Sequence, residues 1–214
     1  AVQRNEGFGV AEARAAVDVL GADALVFHLN PLQEAVQPEG DTNFSGLAEK
    51  IGAVARALLP CPVIVKEVGA GISEKDAQLL VDQGVRFIDV AGSGGTSWSR
   101  IEHHRQESGG DDLGMLFQDW GLPTPLALRQ LKPLRPGVTL IASGGVRSGI
   151  DMIKSVILGA SLCGLASPFL RPAMESSDAV RRVIQRLRRE FTTAIFLLGA
   201  RTLSDVTDRD DFII

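Results

Sequence analysis

The sequence predicts an α/β chain of the TIM (β/α)8 barrel type, of which it holds the C-terminal five βα units. Three observations carry that prediction. Five short segments read as nearly continuous apolar runs, the pattern of parallel strands buried on both faces. Segments with helical start and stop signals alternate with them. Glycine and polar residues follow every strand, whereas an open doubly wound sheet would gather them at one switch point.

In chain order, a helix from Gly9 to Gly21 leads into the strand ALVFHLN (24–30), and a helix over about 46–58 leads into PVIVKEV (62–68). Ser73-Glu74-Lys75-Asp76 opens a helix over 74–83, and Ser148-Gly149-Ile150-Asp151 opens another over 149–158. In each, the serine caps free N–H groups and the aspartate three residues on completes a capping box. The two helices stop at Gly84 and Gly159, suited to the left-handed C′ position. The spacing from serine to glycine is the same in both, so the chain carries a cryptic repeat, with 9–21 as a less well capped third copy. RFIDVAG (86–92) is the third strand, and HHRQESGGDDLG (103–114) is polar and aperiodic, a mobile loop. Thr124-Pro125 supplies an N-cap with proline at the first helical position of a helix over 125–132. VTLIASG (138–144), SLCGLAS (161–167) and a long helix near 176–198 complete the order. Five strands do not close an eight-stranded barrel, so about three more are expected ahead of Ala1. The opening Ala1-Val2-Gln3, with neither an initiator Met nor a signal peptide, reads as a fragment or processed chain, and 1–214 as one partial barrel domain.

Composition excludes several classes. With 45% hydrophobic and 22% charged residues, the 214-residue chain has ordinary globular usage, not that of a disordered one. No apolar run approaches the roughly 18 to 20 residues of a transmembrane helix. A net charge of −4, from 22 basic and 26 acidic residues, gives no general case for nucleic-acid binding. Arg181-Arg182 through Arg188-Arg189 recur along the last helix opposite Val183, Ile184 and Leu187, which makes them a charged outer face. Cys61 and Cys163 form neither a metal spacing nor a disulfide framework, so a reducing cytoplasm is the default.

The chemistry is expected at the strand ends. If 138–144 and 161–167 are the last two barrel strands, the turns Ser143-Gly144-Gly145-Val146-Arg147 and Ala166-Ser167-Pro168 occupy the usual phosphate position. Their small residues let backbone N–H groups reach phosphate oxygens, and the helix near Ser148 adds its positive end. Gly92-Ser93-Gly94-Gly95-Thr96 is either a second such turn, for a phosphate or ribityl chain, or a hinge. Lys66 ends a strand and faces the barrel mouth, where it forms a Schiff base, neutralises a cofactor anion, or pairs with Glu67. In His28-Leu29-Asn30-Pro31-Leu32-Gln33-Glu34, alternation puts His28 and Asn30 on one strand face, and the turn brings Gln33 and Glu34 over the same mouth. Four converging polar groups suit a polar substrate, and Glu34 suits Mg²⁺, which takes one or two protein carboxylates. Read without a ligand, the same segment is a hydrogen-bonded loop around a satisfied histidine. His103 and His104 are solvated loop residues, and Trp98 and Trp120 pack either a lid or a subunit interface.

With these motifs in order, the chain resembles the type 2 isopentenyl-diphosphate delta-isomerases, the flavin-dependent form. The resemblance rests on FHLNPLQEAVQPEGDTNFSG, PVIVKEVGAGIS, DVAGSGGTSW, IASGGV and LGARTL, and covers essentially the whole chain. It implies a barrel that binds FMN and Mg²⁺, uses NADPH or NADH to reduce the flavin, assembles as a homo-tetramer or octamer, and interconverts isopentenyl and dimethylallyl diphosphate. By residue, it implies that Lys66 and Thr96 contact FMN and that Gly144, Gly145, Val146, Ala166 and Ser167 surround its phosphate. Gln33 would bind substrate, Glu34 would hold Mg²⁺ on the diphosphate, and His28 and Asn30 would line the pocket. The family's N-terminal Arg-Lys pair and early flavin-binding strands have no counterpart in this sequence. The second reading is an FMN oxidoreductase of the dihydroorotate dehydrogenase or hydroxy-acid oxidase type, which shares the phosphate turns but gives HLNPLQE no task.

Overall fold

Short β-rich runs closed by a polar turn pair side by side as one parallel sheet: β1 (Leu25–His28), β2 (Val63–Lys66), β3 (Phe87–Asp89), β4 (Thr139–Ala142) and β5 (Leu162–Cys163). The computed structural model describes residues 8–106 and 111–213. Sheet order follows chain order throughout, without the reversal that makes a switch point, so the sheet is a sector of a parallel barrel. Each strand is shorter than its apolar run because the run's last residues turn outward to build the loop above.

Register sets the two faces. Phe27, Val65, Ile88 and Leu140 align across β1 to β4 and are all buried. Their neighbours Val26, Ile64, Phe87 and Thr139 lie on the opposite face, the one a closed barrel turns inward, and are half-buried or exposed in this five-strand sector. Among the described residues the helical layer covers one face only.

That layer comprises α1 (Val10–Leu20), α2 (Pro31–Val36), α3 (Leu47–Ala57), α4 (Glu74–Asp82), α5 (Trp98–Arg105), α6 (Leu113–Leu116), α7 (Thr124–Leu131), α8 (Gly149–Ile157), α9 (Ser167–Glu175) and α10 (Ser177–Leu197). Leu47, Ile51, Leu80, Leu128 and Leu131 of α3, α4 and α7 pack on the buried strand row as the main core. A second cluster joins Ile153, Val156 and Ile157 of α8 to Phe191 and Ile195 of α10.

The capping signals operate locally. Ser148 Oγ accepts the Asp151 N–H at 3.2 Å while the Asp151 carboxylate accepts the Ser148 N–H at 2.9 Å, a full capping box. At Ser73 the hydroxyl accepts the Asp76 N–H and donates to its carboxylate, so the box is half made. Gly84 and Gly159 take φ of +99° and +105° just past their helices, as expected of C′ glycines. The proposed mobile loop differs at its edges: His103 to Arg105 continue α5, Leu113 and Gly114 begin α6, and 107–110 lie outside the described residues. On α10, Leu187 is buried as expected but Ile184 is exposed. Its arginines pair with Asp178, Glu175 and Glu190 on the surface, the solvated face their pattern predicted.

Candidate active site

The turns above β2 to β5 enclose a cavity of about 540 Å³. Lys66, Thr96, Gly144, Gly145, Val146, Ala166 and Ser167 all line it, so every residue expected to hold a flavin nucleotide faces one space. The backbone there is built close. A Cβ on Gly144 would lie 2.0 Å from the Gly92 carbonyl oxygen, and one on Gly145 would lie 2.8 Å from backbone atoms of Gly94. Both glycines hold positive φ, +92° and +80°. The N–H groups of Gly144, Gly145, Val146, Ala166 and Ser167 have no acceptor among the described residues. Unpaired backbone donors lining a concavity next to the first turn of α9 are what an anionic group needs. Arg147 adds a cation at the rim, donating to the Gly94 carbonyl at 2.7 Å and so tying the two turns together.

Lys66 ends β2 between His28 on β1 and Asp89 on β3 in register. Its ammonium donates to the backbone carbonyl of Glu67, not to the Glu67 carboxylate. That carboxylate, 3% exposed, turns away to accept the N–H groups of Val68, Gly69 and Ala70, so the expected pairing of Lys66 with Glu67 is not made. Burial raises the Glu67 carboxyl above the usual range against the pull of these N–H groups.

Asp89 is the carboxylate that faces the lysine; it opens the DVAGSGGTSW motif, but the motif marks no role for it. It is 8% exposed, and Ser143 Oγ donates to both its oxygens, at 2.8 and 3.0 Å. The N–H of Ala91, whose φ is +37°, donates to it as well. Burial raises the Asp89 carboxyl, opposed by Ser143, the Ala91 N–H and the Lys66 charge. The folded protein therefore holds this proton to higher pH than the unfolded chain does, and the associated stability is complete below the ordinary aspartate value and fades as pH rises through the folded one. Asp89→Asn keeps an acceptor and never ionises. It should gain stability relative to the unsubstituted protein between about pH 4 and neutrality, where the ordinary value near 3.9 has been passed. Thermal melts of both proteins across that range check this, and a constant gap would contradict it.

The HLNPLQE segment departs from its expected geometry. β1 ends at His28, and Asn30 lies beyond it as the N-cap residue of α2, so strand alternation does not relate the two. His28 is exposed and Asn30 buried. Partial burial and the Lys66 charge lower the His28 imidazole, with Glu34 opposing. Asn30 Nδ2 donates to Gln33 Oε1 at 3.1 Å and Glu34 Oε1 at 3.0 Å, fixing both side chains from one amide. His28, Asn30 and Glu34 then line a cavity of about 200 Å³ beside β1. Gln33 lines a different one, about 330 Å³, with Trp98, Arg100 and Trp120. The four groups thus serve two spaces, not one mouth. The Gln33 cavity shares Val68, Gly69, Gly95, Thr96 and Trp98 with the glycine-lined cavity, so those two adjoin.

Glu102, also unmarked in the sequence, is 2% exposed on α5 and accepts from Gln33 Nε2 at 2.6 Å and from Arg105. It orients Gln33 from behind. For a metal, Glu34 is a partial fit: Oε2 accepts from Gln37 Nε2 and the Asp41 N–H, while Oε1 accepts only from Asn30 among the bonds to described residues. One lone pair suits a hard cation completed by substrate and water. Among the described residues no group of three or more His, Cys, Asp or Glu is arranged around a metal position. Burial pushes the Cys163 thiol up to about 11, which leaves it inert. None of the described helices is long and apolar enough to cross a membrane.

The isopentenyl-diphosphate delta-isomerase of Hydrogenovibrio crunogenus is 56% identical over 215 residues, and that of Paracoccus zeaxanthinifaciens 54% over 217 residues. Each alignment takes in 100% of this chain and 62% of the relative, so the chain spans about three-fifths of their length. Among solved structures, a flavocytochrome b2 variant with benzoylformate superposes with a TM-score of 0.65 at 20% identity, over 92% of this chain and 49% of that one. A mandelate oxidase variant with benzaldehyde gives 0.59 at 25% identity, over 92% and 57%. The model of the FMN-dependent dehydrogenases matches residues 47–211, from α3 through the last strand and α10, and so includes every turn of the glycine-lined cavity. By that match the chain belongs to the family of FMN-dependent dehydrogenases.

Proposed function

We propose that the protein interconverts isopentenyl and dimethylallyl diphosphate, with FMN in the glycine-lined cavity and the diphosphate beside α2. The observation that carries this is the adjacency of the two cavities: five unpaired N–H groups and Lys66 in one, Gln33 held by Asn30 and Glu102 in the next. The 56% and 54% identical relatives bear that activity in their names.

Moving a double bond adds a proton at one carbon and removes one at another, with no net redox change. Bound in its reduced form, FMN would supply the proton-transfer group. The chain's own residues bind and orient. Gly144, Gly145, Val146, Ala166 and Ser167 would donate N–H groups to the phosphate, and Thr96 and Lys66 would contact the flavin, the ammonium balancing negative charge. Gln33, with its amide fixed at both ends, positions the alkene, and Trp98 walls off water. Glu34 gives Mg²⁺ one oxygen and anchors the diphosphate, with His28 and Asn30 lining that end. NADPH or NADH as reductant, a homo-oligomeric assembly and a cytoplasmic setting belong to the same proposal.

Purified protein should be yellow and, after reduction, should exchange solvent deuterium into isopentenyl diphosphate. A colourless protein without exchange would end this reading. Glu34→Gln should abolish Mg²⁺-dependent turnover while leaving FMN affinity unchanged, and unaltered turnover at limiting Mg²⁺ removes Glu34 from the metal role. The second reading, an FMN-dependent oxidoreductase, draws on the family match and the oxidase-like neighbours. Stoichiometric consumption of NAD(P)H or O₂ with product formation would select it.

A further inference from the structure

Thr124 sits at the start of α7, outside the residues lining the cavity, and the sequence pattern casts it as a helix cap. The structure gives it another task. Pro123 is the N-cap residue, Pro125 falls at the second helical position, and no side chain caps the helix. Thr124 is 4% exposed, and its hydroxyl is shared between the carbonyl oxygens of Ser143, at 2.8 Å, and Gly144, at 2.6 Å. The Gly92 N–H also donates to the Ser143 carbonyl, at 3.1 Å. In a trans peptide the N–H lies opposite the preceding carbonyl. Fixing the carbonyls of 143 and 144 toward Thr124 therefore aims the amides of Gly144 and Gly145 away from α7, and these are two of the donors without an acceptor.

The corner is closely packed. A Cβ on Gly92 would lie 2.4 Å from the Thr124 backbone nitrogen, so the 92–95 turn, the start of α7 and the 143–145 turn are in backbone contact. Glycines at positive φ have many alternative conformations, and an external bond is needed to select one. Asp89 holds the Ser143 side chain, but that bond does not set the orientation of the peptide planes beyond it.

We propose that Thr124 is a positioning residue that presets the Gly144–Gly145 amides for the phosphate of the bound nucleotide without touching it. The proposal rests on the flavin reading above and assigns to it a residue outside the cavity. A preset cradle contributes to phosphate affinity and not to ring affinity, so the discriminating quantity is the ratio of FMN to riboflavin affinity. Thr124→Val has nearly the same shape and lacks the donor, leaving the part-buried Gly144 carbonyl without a partner among the described residues and the Ser143 carbonyl with only the Gly92 N–H.

The experiment titrates the full-length protein with FMN and with riboflavin, following flavin fluorescence. Thr124→Val should weaken FMN on the order of tenfold and leave riboflavin unchanged, while Thr124→Ser, which keeps the hydroxyl, should bind both as the unsubstituted protein does. Equal loss of both ligands in Thr124→Val, or loss of none, overturns the assignment. If Thr124→Val does not fold, Thr124→Ser decides: retained preference for FMN supports the hydroxyl, and a lost preference shows that the methyl group mattered instead. Unsubstituted protein that binds FMN no better than riboflavin would overturn the flavin reading itself, an outcome distinct from failure at Thr124.

Discussion

Gly144→Ala should abolish FMN binding and lower the melting temperature by roughly 10 °C, the shift expected for about 3 kcal/mol in a chain of this size. Two costs combine. The residue holds φ at +92°, a conformation a side chain adopts only with strain of order 1–3 kcal/mol. The added Cβ would also lie 2.0 Å from the Gly92 carbonyl oxygen and 2.8 Å from the Gly92 nitrogen. Both are backbone atoms of the adjoining turn, which Thr124 and Ser143 already hold, so the clash is relieved only by prising the two turns apart. That movement carries the Gly145 and Val146 amides with it. Gly84→Ala supplies the control. Gly84 has a comparable φ of +99° but open space where the Cβ would go, so it should lose only the strain, about 1–3 kcal/mol, and keep full FMN affinity. Thermal melts and flavin titration of the pair decide the matter. A Gly144→Ala protein that binds FMN and melts within a degree or two of the parent would show that the two turns are not in the contact described.

The strand order and the glycine corners were legible because both depend on local signals. Apolar runs of strand length, capping serines and C′ glycines act within a few residues, and the structure places them where the pattern does. Which face of each strand meets the helices was not legible, because a nearly continuous apolar run looks alike on both faces. Asp89 and Glu102 were missed for a related reason. Each is a single carboxylate inside an otherwise ordinary element, and its meaning comes from partners 54 and 69 residues away, Ser143 and Gln33. Thr124 shows the converse. Its Thr-Pro signature fits a helix start, and α7 does start there, but the hydroxyl is taken by a tertiary demand, two part-buried carbonyls of a neighbouring turn. In HLNPLQE the residue types were legible and their grouping was not. The strand stops two residues earlier than alternation required, and α2 then sends Gln33 and Glu34 into different cavities.

Lys66→Met should cut the proposed isomerase turnover at least about a hundredfold, the scale of removing one preorganised electrostatic contact. FMN affinity should fall about tenfold. The melting temperature should hardly move, because the lysine's one hydrogen bond among the described residues goes to the neighbouring Glu67 carbonyl. The charged groups around it explain why its cation is available to a ligand. His28 on β1 has its imidazole lowered, and so adds little charge. The Glu67 carboxylate is turned into its own backbone N–H groups. Asp89 on β3 is engaged with Ser143 and Ala91. Arg147 stands at the far rim on the Gly94 carbonyl. Lys66 therefore faces the cavity with no carboxylate in ion-pair contact among the described residues, so its charge is open to an anionic ligand such as the proposed flavin. Lys66→Arg separates charge from nucleophilicity. Arginine keeps the cation and forms no Schiff base, so partial recovery of turnover relative to Lys66→Met supports charge balance. If Lys66→Arg is as inactive as Lys66→Met, and borohydride traps substrate on the unsubstituted protein, Lys66 is a nucleophile and the cavity belongs to a different chemistry.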